Sequence, residues 1–134
     1  MVAYIAVEYL GYWAESYVTV GSEKYASWKI VMRTLDQMIA AAEPGQPVAK
    51  FAEIARESLS ETSVHPIVGR SFGHAIGLDI NEPPNFTLDE KTPLQSGNCY
   101  TLRFGISGKD SDAALVSAMI EITQTGARLM GRLD

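Results

Sequence analysis

Strand-forming and helix-forming stretches are segregated along this chain of 134 residues. Residues 2–20 are rich in β-branched and aromatic side chains, and Leu10-Gly11 interrupts them with a turn or a bulge. Two helical patterns come next, and three further strand patterns follow only near the end of the chain. Because strands and helices do not alternate, this order predicts an α+β fold and argues against a doubly wound parallel sheet.

The two helical patterns are separated by a short connection. The first can be capped at Gly21-Ser22, repeats apolar residues at three- and four-residue steps over 28–42, and ends at Pro44-Gly45. The second begins with Pro47 in its first turn and ends within 60–63. A connection this short predicts two neighbouring helices that pack against one face of a sheet.

The second half of the chain begins with a long stretch in which glycines and prolines recur. Residues 64–94 are expected to be mostly irregular, and a connection of this length in a compact domain is usually functional. Strands are predicted over 98–106, 113–123 and 127–130. The complete expected order is a β-hairpin, two helices, a long loop and three antiparallel strands, within a single domain over 1–134.

The charge and composition of the chain exclude several classes of function. The net charge is −5 and no basic run is present, so nucleic acid is not an expected partner. No apolar run approaches the roughly 18 residues of a membrane-spanning helix, so no membrane association is expected. No basic leader precedes an apolar block, which predicts a cytoplasmic location. The single cysteine, Cys99, excludes an internal disulfide and a cysteine-rich zinc site.

Residues 73–84 hold the first candidate for a functional side chain. His74 is one of two histidines in the chain, and it stands beside glycines, which let a backbone approach a site closely. Because the pKa of an imidazole lies near neutrality, His74 is a candidate general acid or base. A hydrogen-bonded structural histidine is the alternative, and the residues alone leave both interpretations open.

The order of elements, together with several local motifs, resembles the C-terminal part of the pita-bread fold. That fold is shared by methionine aminopeptidase, Xaa-Pro aminopeptidase, prolidase and creatinase. The motifs that carry the resemblance are Gly73-His74-Ala75-Ile76-Gly77 with Asn81-Glu82-Pro83 for a G-H-x-I-G and H-E-x-P segment, Gly11-Tyr12-Trp13-Ala14-Glu15 for a G-Y-x-x-D strand, Glu43-Pro44-Gly45 for a K-P-G joint between helices, and 94–102 for the run before a metal-binding glutamate. The resemblance implies that 1–134 is the C-terminal part of a peptidase-like catalytic domain.

Active members of this superfamily hold two divalent metals with two aspartates, one histidine and two glutamates, while a second histidine assists catalysis. The resemblance places these six positions, in chain order, on Tyr4, Glu15, His74, Asn81, Arg103 and Ser117. Two metals need several anionic oxygens, and Arg103 would place a cation among them. The resemblance therefore implies a domain with no metal ligand set, no cofactor and no metallopeptidase activity.

Two functions are compatible with this resemblance. The first is a binding or scaffold module, in which Arg103 and Glu15 form a salt bridge in the former metal pocket. The alternative is a metal-independent hydrolase of C–N bonds, as in creatinase, with His74 as the general acid or base. In that case Glu15 or Glu82 would orient the imidazole. Arg103 and Asn81 would bind the substrate.

The same resemblance bears on partners. A half of the pita-bread domain would expose a sheet edge and an apolar face that normally meet the other half. We therefore expect a homo-oligomer or association with a separate N-terminal half, and we expect a peptide or a small amide as ligand. A structural α+β domain without any site is the third interpretation, and the long loop around His74 argues against it.

Overall fold

The computed structural model of this chain describes residues 1–21, 26–60, 64–108 and 112–132. These residues contain two helices, α1 (Ala26–Ala40) and α2 (Ala49–Ser60). They also contain eight strands, which are β1 (Val2–Tyr9), β2 (Tyr12–Thr19), β3 (His65–Pro66), β4 (Gly73–Ala75), β5 (Glu82–Asn85), β6 (Cys99–Ser107), β7 (Ala113–Ile122) and β8 (Ala127–Arg132). The predicted helix cap at Ser22 and the predicted helix end at 61–63 lie outside the described residues. Neither described helix has the length and apolar character needed to span a membrane.

The first two strands form an antiparallel hairpin of their own, as the sequence predicted. Tyr9 and Tyr12 are its last pair, and Leu10 and Gly11 form the turn with φ angles of 52° and 84°. A type I′ turn requires positive φ at both central residues, and its twist matches that of the strands it joins. Gly11 adopts this conformation without steric cost, which is why the glycine marks the turn in the sequence.

The remaining strands form one antiparallel sheet with the order β5-β4-β6-β7-β8, and β3 also pairs with β6. The longest ladder joins β6 and β7, from Cys99 opposite Glu121 to Ser107 opposite Ala113. The α+β class and the three antiparallel strands at the end of the chain are confirmed.

The stretch between α2 and β6 is more ordered than the sequence predicted. It contributes β3, β4 and β5, although 64–94 was expected to be mostly irregular. These strands are two, three and four residues long and contain prolines or a glycine, so they are too short to show a period-two pattern. Strands β3 and β4 bond to β6, which is distant in the chain, and a local pattern does not reveal such partners.

The two long central strands, β6 and β7, carry different side chains on their two faces, because successive residues of a strand point to opposite sides. The first face is apolar and packs with both helices, through Leu102, Phe104, Ile106, Val116 and Ile120. The second face is mixed and lies under the hairpin, with Thr101, Arg103, Ser117 and Met119. The helices and the hairpin therefore cover opposite faces of the sheet.

Side chains fasten the hairpin to the second face of the sheet. The hydroxyl of Ser117 accepts the N–H of Tyr17 at 2.8 Å. The hydroxyl of Thr19 donates to the carbonyl oxygen of Leu115 at 2.8 Å and accepts its N–H at 2.8 Å. The space between β2 and this face is where the candidate site lies.

Candidate functional site

His74 is placed by the close packing of β4 between β5 and β6. A Cβ atom on Gly73 would lie 2.4 Å from the carbonyl oxygen of Thr101 and 2.7 Å from the ring of Phe86, so only glycine fits there. Gly73 and Ala75 face the helices, where Ala75 is part of the buried core. His74, between them, points to the opposite face and therefore to the hairpin.

Three side chains from three strands meet at this point. His74 Nε2 lies 2.8 Å from Oε1 of Glu15, and the hydroxyl of Tyr4 donates to Oε2 of Glu15 at 2.9 Å. His74 is 1% exposed and Glu15 is 7% exposed, so both ionisable groups are removed from water. We refer to these residues as the Tyr4–Glu15–His74 cluster. A carboxylate buried inside β2 needs such partners, because an unpaired buried charge is costly.

The contacts of His74 determine how its hydrogens are arranged. Nδ1 lies 2.9 Å from the carbonyl oxygen of Ala75, which can only accept, so Nδ1 carries a hydrogen. Nε2 faces a carboxylate oxygen at 2.8 Å, a distance that requires a proton between the two atoms. Oε1 of Glu15 has no well-aligned hydrogen bond, so this contact is an ion pair rather than a well-directed hydrogen bond.

The pKa values in the cluster assign the charges. Burial by itself raises the pKa of Glu15, but the close contact with the His74 imidazole and its charge, the hydrogen bond from Tyr4 and the charge of Arg103 outweigh it. The net result is a pKa below the ordinary value, so Glu15 is a carboxylate. Burial, and then the hydrogen bond to Glu15, raises the pKa of Tyr4 to about 12, so Tyr4 stays a neutral donor.

Arg103 does not form the salt bridge with Glu15 that we expected from the sequence. Among the described residues, the ion pair of Glu15 is with His74. The Nε atom of Arg103 instead donates to the carbonyl oxygen of Ser71 at 3.4 Å. Arg103 stands opposite Ser117 in the β6–β7 ladder, and it acts on the cluster only through its charge. His74 already contacts the Glu15 carboxylate and balances its charge, so Glu15 does not need Arg103 as a partner.

Glu82 and Asn81 lie away from the cluster. Oε1 of Glu82 accepts the N–H of Asp79 at 2.7 Å, so this carboxylate closes the turn between β4 and β5. Glu15, and not Glu82, faces Nε2 of His74, and the predicted catalytic role of Glu82 stays a prediction. Asn81 is exposed in the same turn. Its predicted role in substrate binding, like that of Arg103, stays a prediction.

Two adjoining cavities open between the hairpin and the edge of the sheet at β8. The first has a volume of about 360 Å³, lies beside Glu15 and is lined by Ser16, Met119 and Met130 among others. The second, of about 420 Å³, is almost wholly apolar and shares both methionines. The hydroxyl of Ser16 is buried and has no hydrogen-bond partner among the described residues. Sequence reasoning missed Ser16, Met119 and Met130, because only the tertiary fold brings β7 and β8 to the hairpin.

The site contains few groups of the kind that bind metals. Within the described ranges, no group of three or more histidine, cysteine, aspartate or glutamate side chains could hold a metal ion. The cluster itself contributes one carboxylate and one imidazole, and these two already contact each other.

Comparisons with known proteins bear on this geometry. Residues 1–128 match the sequence pattern of metallopeptidase family M24. The Xaa-Pro dipeptidase of Pyrococcus furiosus is 27% identical over 107 residues, which cover 80% of this chain and 31% of that protein. A putative dipeptidase of Bacillus subtilis is 23% identical over 112 residues, which cover 84% of this chain and 31% of that protein. The chain thus spans 31% of the length of each of these two relatives.

Solved structures share the fold of this chain. The prolidase from Pyrococcus furiosus matches with a TM-score of 0.83 and 26% identity, over 99% of this chain and 41% of that chain. An X-Pro aminopeptidase from Thermotoga maritima matches with a TM-score of 0.84 and 20% identity, over 99% of this chain and 39% of that chain. These structures confirm the pita-bread fold inferred from the motifs around His74 and Glu15. Since the sequence pattern of the family also matches nearly the whole chain, this chain belongs to metallopeptidase family M24.

Proposed function

We propose that this chain is a peptidase-like M24 domain that has lost the metal centre and serves as a binding or scaffold module. The observation that carries the proposal is the closed Tyr4–Glu15–His74 cluster. Both oxygens of Glu15 are engaged, one by the imidazole at 2.8 Å and one by the phenol at 2.9 Å. The charges of Glu15 and His74 neutralise each other, so the cluster is complete without a further ion.

The residues of the cluster do not fit the pair of divalent metals that the family implies. Two such ions require several anionic oxygens. The cluster has one carboxylate, and Tyr4 stays protonated because its pKa is raised to about 12. The guanidinium of Arg103 adds a positive charge close enough to lower the pKa of Glu15, and it would repel a cation placed there.

A peptide or a small amide is the ligand that the neighbouring cavities support. The cavity of about 360 Å³ beside Glu15 falls within the range typical of small-molecule sites. Ser16 offers a buried hydroxyl without a partner in the described part of the chain, and an amide group can satisfy such a hydroxyl. Met119 and Met130 provide flexible apolar walls, which adapt to different side chains.

The alternative function, a metal-independent hydrolase of C–N bonds, has less support. A general acid or base must reach the reacting group of a substrate. His74 is 1% exposed, and its two ring nitrogens face Glu15 and the carbonyl oxygen of Ala75.

The cytoplasmic location expected from the sequence stays a prediction.

The first test is a calorimetric titration of manganese, cobalt and zinc into the metal-stripped protein. We expect no saturable binding tighter than the millimolar range, because the cluster lacks anionic oxygens. His74→Ala and His65→Ala are compared with the wild type, since His65 is the second histidine and is exposed on β3. Tight binding of two ions that is lost in His74→Ala and kept in His65→Ala would overturn the proposal.

The ligand is tested separately with the dipeptide Ala-Pro. We expect its titration to shift the amide NMR signals of the residues around Ser16, and we expect no hydrolysis product. Ser16→Ala removes the unpartnered hydroxyl and should weaken the effect, whereas Ser60→Ala, at the exposed end of α2, should not. Release of alanine and proline at a rate that depends on His74 would support the hydrolase instead.

A further inference from the structure

A cavity of about 680 Å³ lies on the helix side of the sheet, away from the candidate site. Its lining comes from three stretches of the chain, which are α2, the residues just before β4 and the residues just after β5. One lining residue is Phe72, whose ring lies 6.1 Å, centroid to centroid, from the ring of Phe104 on the helix-facing side of β6. The sheet therefore separates this cavity from the Tyr4–Glu15–His74 cluster, and a ligand bound here is independent of the proposed function.

Much of the lining of this cavity is apolar. Ala52 and Phe72 are buried, whereas Leu59 is half-buried and Leu88 is 50% exposed. An apolar side chain exposed inside a concave surface gains free energy when a ligand removes it from water. The volume also lies within the range of small-molecule sites, which are lined mostly by apolar side chains with a few polar groups. The cavity therefore suits a ligand with an apolar body.

The charged groups of the lining are more positive than negative. Arg56 on α2 and Arg70 before β4 both line the cavity, and neither forms an ion pair with a carboxylate in the described part of the chain. Asp89 also lines the cavity, and its Oδ1 accepts the hydroxyl of Thr87 at 2.7 Å. The hydrogen bonds from Thr87 and from its own backbone, and the charge of Arg70, lower the pKa of Asp89. Two guanidinium groups and one carboxylate leave an excess of one positive charge.

The glutamates of α2 do not cancel this excess. Glu53 lies one helical turn before Arg56, but its carboxylate contacts Lys50 at 3.4 Å. Glu57 is next to Arg56 in sequence, and adjacent residues of a helix do not face each other. Neither glutamate lines the cavity. In a chain with a net charge of −5, two arginines that lack a described ion pair beside an apolar surface are a local exception.

We propose that this cavity binds a small carboxylate with an apolar body, such as the anion of a medium-chain fatty acid. The planar guanidinium groups of Arg56 and Arg70 present paired N–H donors, which match the two oxygens of a carboxylate. The apolar body of the ligand covers Phe72 and Leu88 and removes them from water. One negative charge on the ligand balances the excess charge of the lining, which a neutral or a cationic ligand does not.

The position of the cavity favours a diffusible ligand over a further segment of protein. Residues 87–89 follow β5, which is one edge of the sheet, whereas β8 and the last described residues are at the other edge. The hairpin, which holds the first residues of the chain, is fastened to β7 beside β8. Both described ends of the chain thus lie at the edge away from the cavity. The lining itself needs no other chain, because three stretches of this one surround the cavity.

The test is a titration of the whole chain with octanoate, followed by the amide NMR signals. We expect saturable shifts at residues around the cavity and none in the hairpin around Ser16. Octanol and octylammonium carry the same alkyl chain on a neutral or a positive group. Both should bind about tenfold more weakly or worse, because they lose the charge-assisted hydrogen bonds to the arginines. Acetate keeps the carboxylate without the apolar body and should not saturate the cavity in the same concentration range.

Substitution of the arginines tests how the carboxylate is recognised. Arg56→Gln and Arg70→Gln should each raise the dissociation constant of octanoate about tenfold and leave that of octanol unchanged. Both arginines are exposed, so the fold should be kept, and circular dichroism checks this. Arg128→Gln removes the same charge at an exposed site on β8 and should leave octanoate binding unchanged.

Three results would each overturn the proposal. The first is a wild type without saturable octanoate binding at the cavity. The second is equal binding of octanoate and octylammonium, since the excess positive charge would then play no part. The third is a double variant, Arg56→Gln with Arg70→Gln, that binds octanoate as tightly as Arg128→Gln does.

Discussion

The two faces of the β6–β7 ladder show how one pair of strands can serve both stability and a site. Phe104 faces the helices and is fully buried among apolar side chains. Its neighbour Arg103 faces the hairpin and is half-buried among polar groups. The apolar face needs only shape and volume, whereas a fully buried charge on the polar face needs a partner. Substitutions at two adjacent residues can therefore change the stability of the fold and the candidate site separately.

The largest effect is expected on the apolar face. Phe104→Ala removes a fully buried ring that lies 6.1 Å, centroid to centroid, from the ring of Phe72. Loss of transfer free energy and the cavity left behind should lower the free energy of unfolding by about 3–5 kcal/mol. Urea denaturation followed by circular dichroism measures this change. A loss below about 1 kcal/mol would mean that the helices do not pack on this face as described.

A somewhat smaller loss is expected from the buried ion pair on the polar face. Glu15→Gln leaves the imidazolium of His74 without a charged partner and should cost about 3 kcal/mol at neutral pH. Glu82→Gln is the matched control, because the Glu82 carboxylate bonds to Asp79 and not to His74. Equal losses in the two variants would remove the distinction between these carboxylates.

The pH dependence of stability tests whether Glu15 is ionised in the folded protein. The pKa of Glu15 in the folded state lies below its ordinary 4.5, so the unfolded state takes up the proton first as the pH falls. The contribution of Glu15 to stability is therefore full above pH 4.5 and is lost as the pH falls through the folded-state pKa. Urea midpoints measured across this range should fall less steeply for Glu15→Gln than for the wild type. Parallel curves would show that Glu15 is not ionised in the fold.

The smallest effect is expected at Arg103. The guanidinium makes no ion pair among the described residues, and its hydrogen bond to Ser71 is long at 3.4 Å. Arg103→Ala should therefore cost about 1 kcal/mol or less. The same denaturation measurement, made beside Phe104→Ala, compares adjacent residues on opposite faces. A loss as large as that of Glu15→Gln would restore the salt bridge that the sequence suggested.

Local patterns predicted the elements whose signal is carried by neighbouring residues. The hairpin turn at Leu10-Gly11 and the helix–helix joint at Pro44-Gly45 depend on backbone conformations that glycine and proline favour. The strands of the sheet that are long enough to alternate were also predicted. The short strands β3, β4 and β5 were missed. Strands β3 and β4 bond to the distant β6, whereas β5 pairs with the nearby β4 but is only four residues long and contains two prolines.

The candidate site was likewise predicted only in part. The sequence identified His74 and Glu15 as candidates, because their motifs resemble those of a known superfamily. It did not show that Glu15, rather than Glu82, holds the imidazole. Both carboxylates are plausible partners along the chain, and only the crossing of β2 over the sheet brings one of them within 2.8 Å.

The amino-acid sequence by itself determined the α+β class, the order of the longer elements and the family, because periodicity, turn residues and motifs are properties of the chain. The tertiary structure alone decided that Glu15 pairs with His74 and not with Arg103, and that β2 rather than β1 is fastened to β7. The physical reason is that charge pairing and strand pairing depend on distances of a few ångströms between groups far apart in sequence. Those distances are set only when the hairpin, the sheet and the helices have packed together.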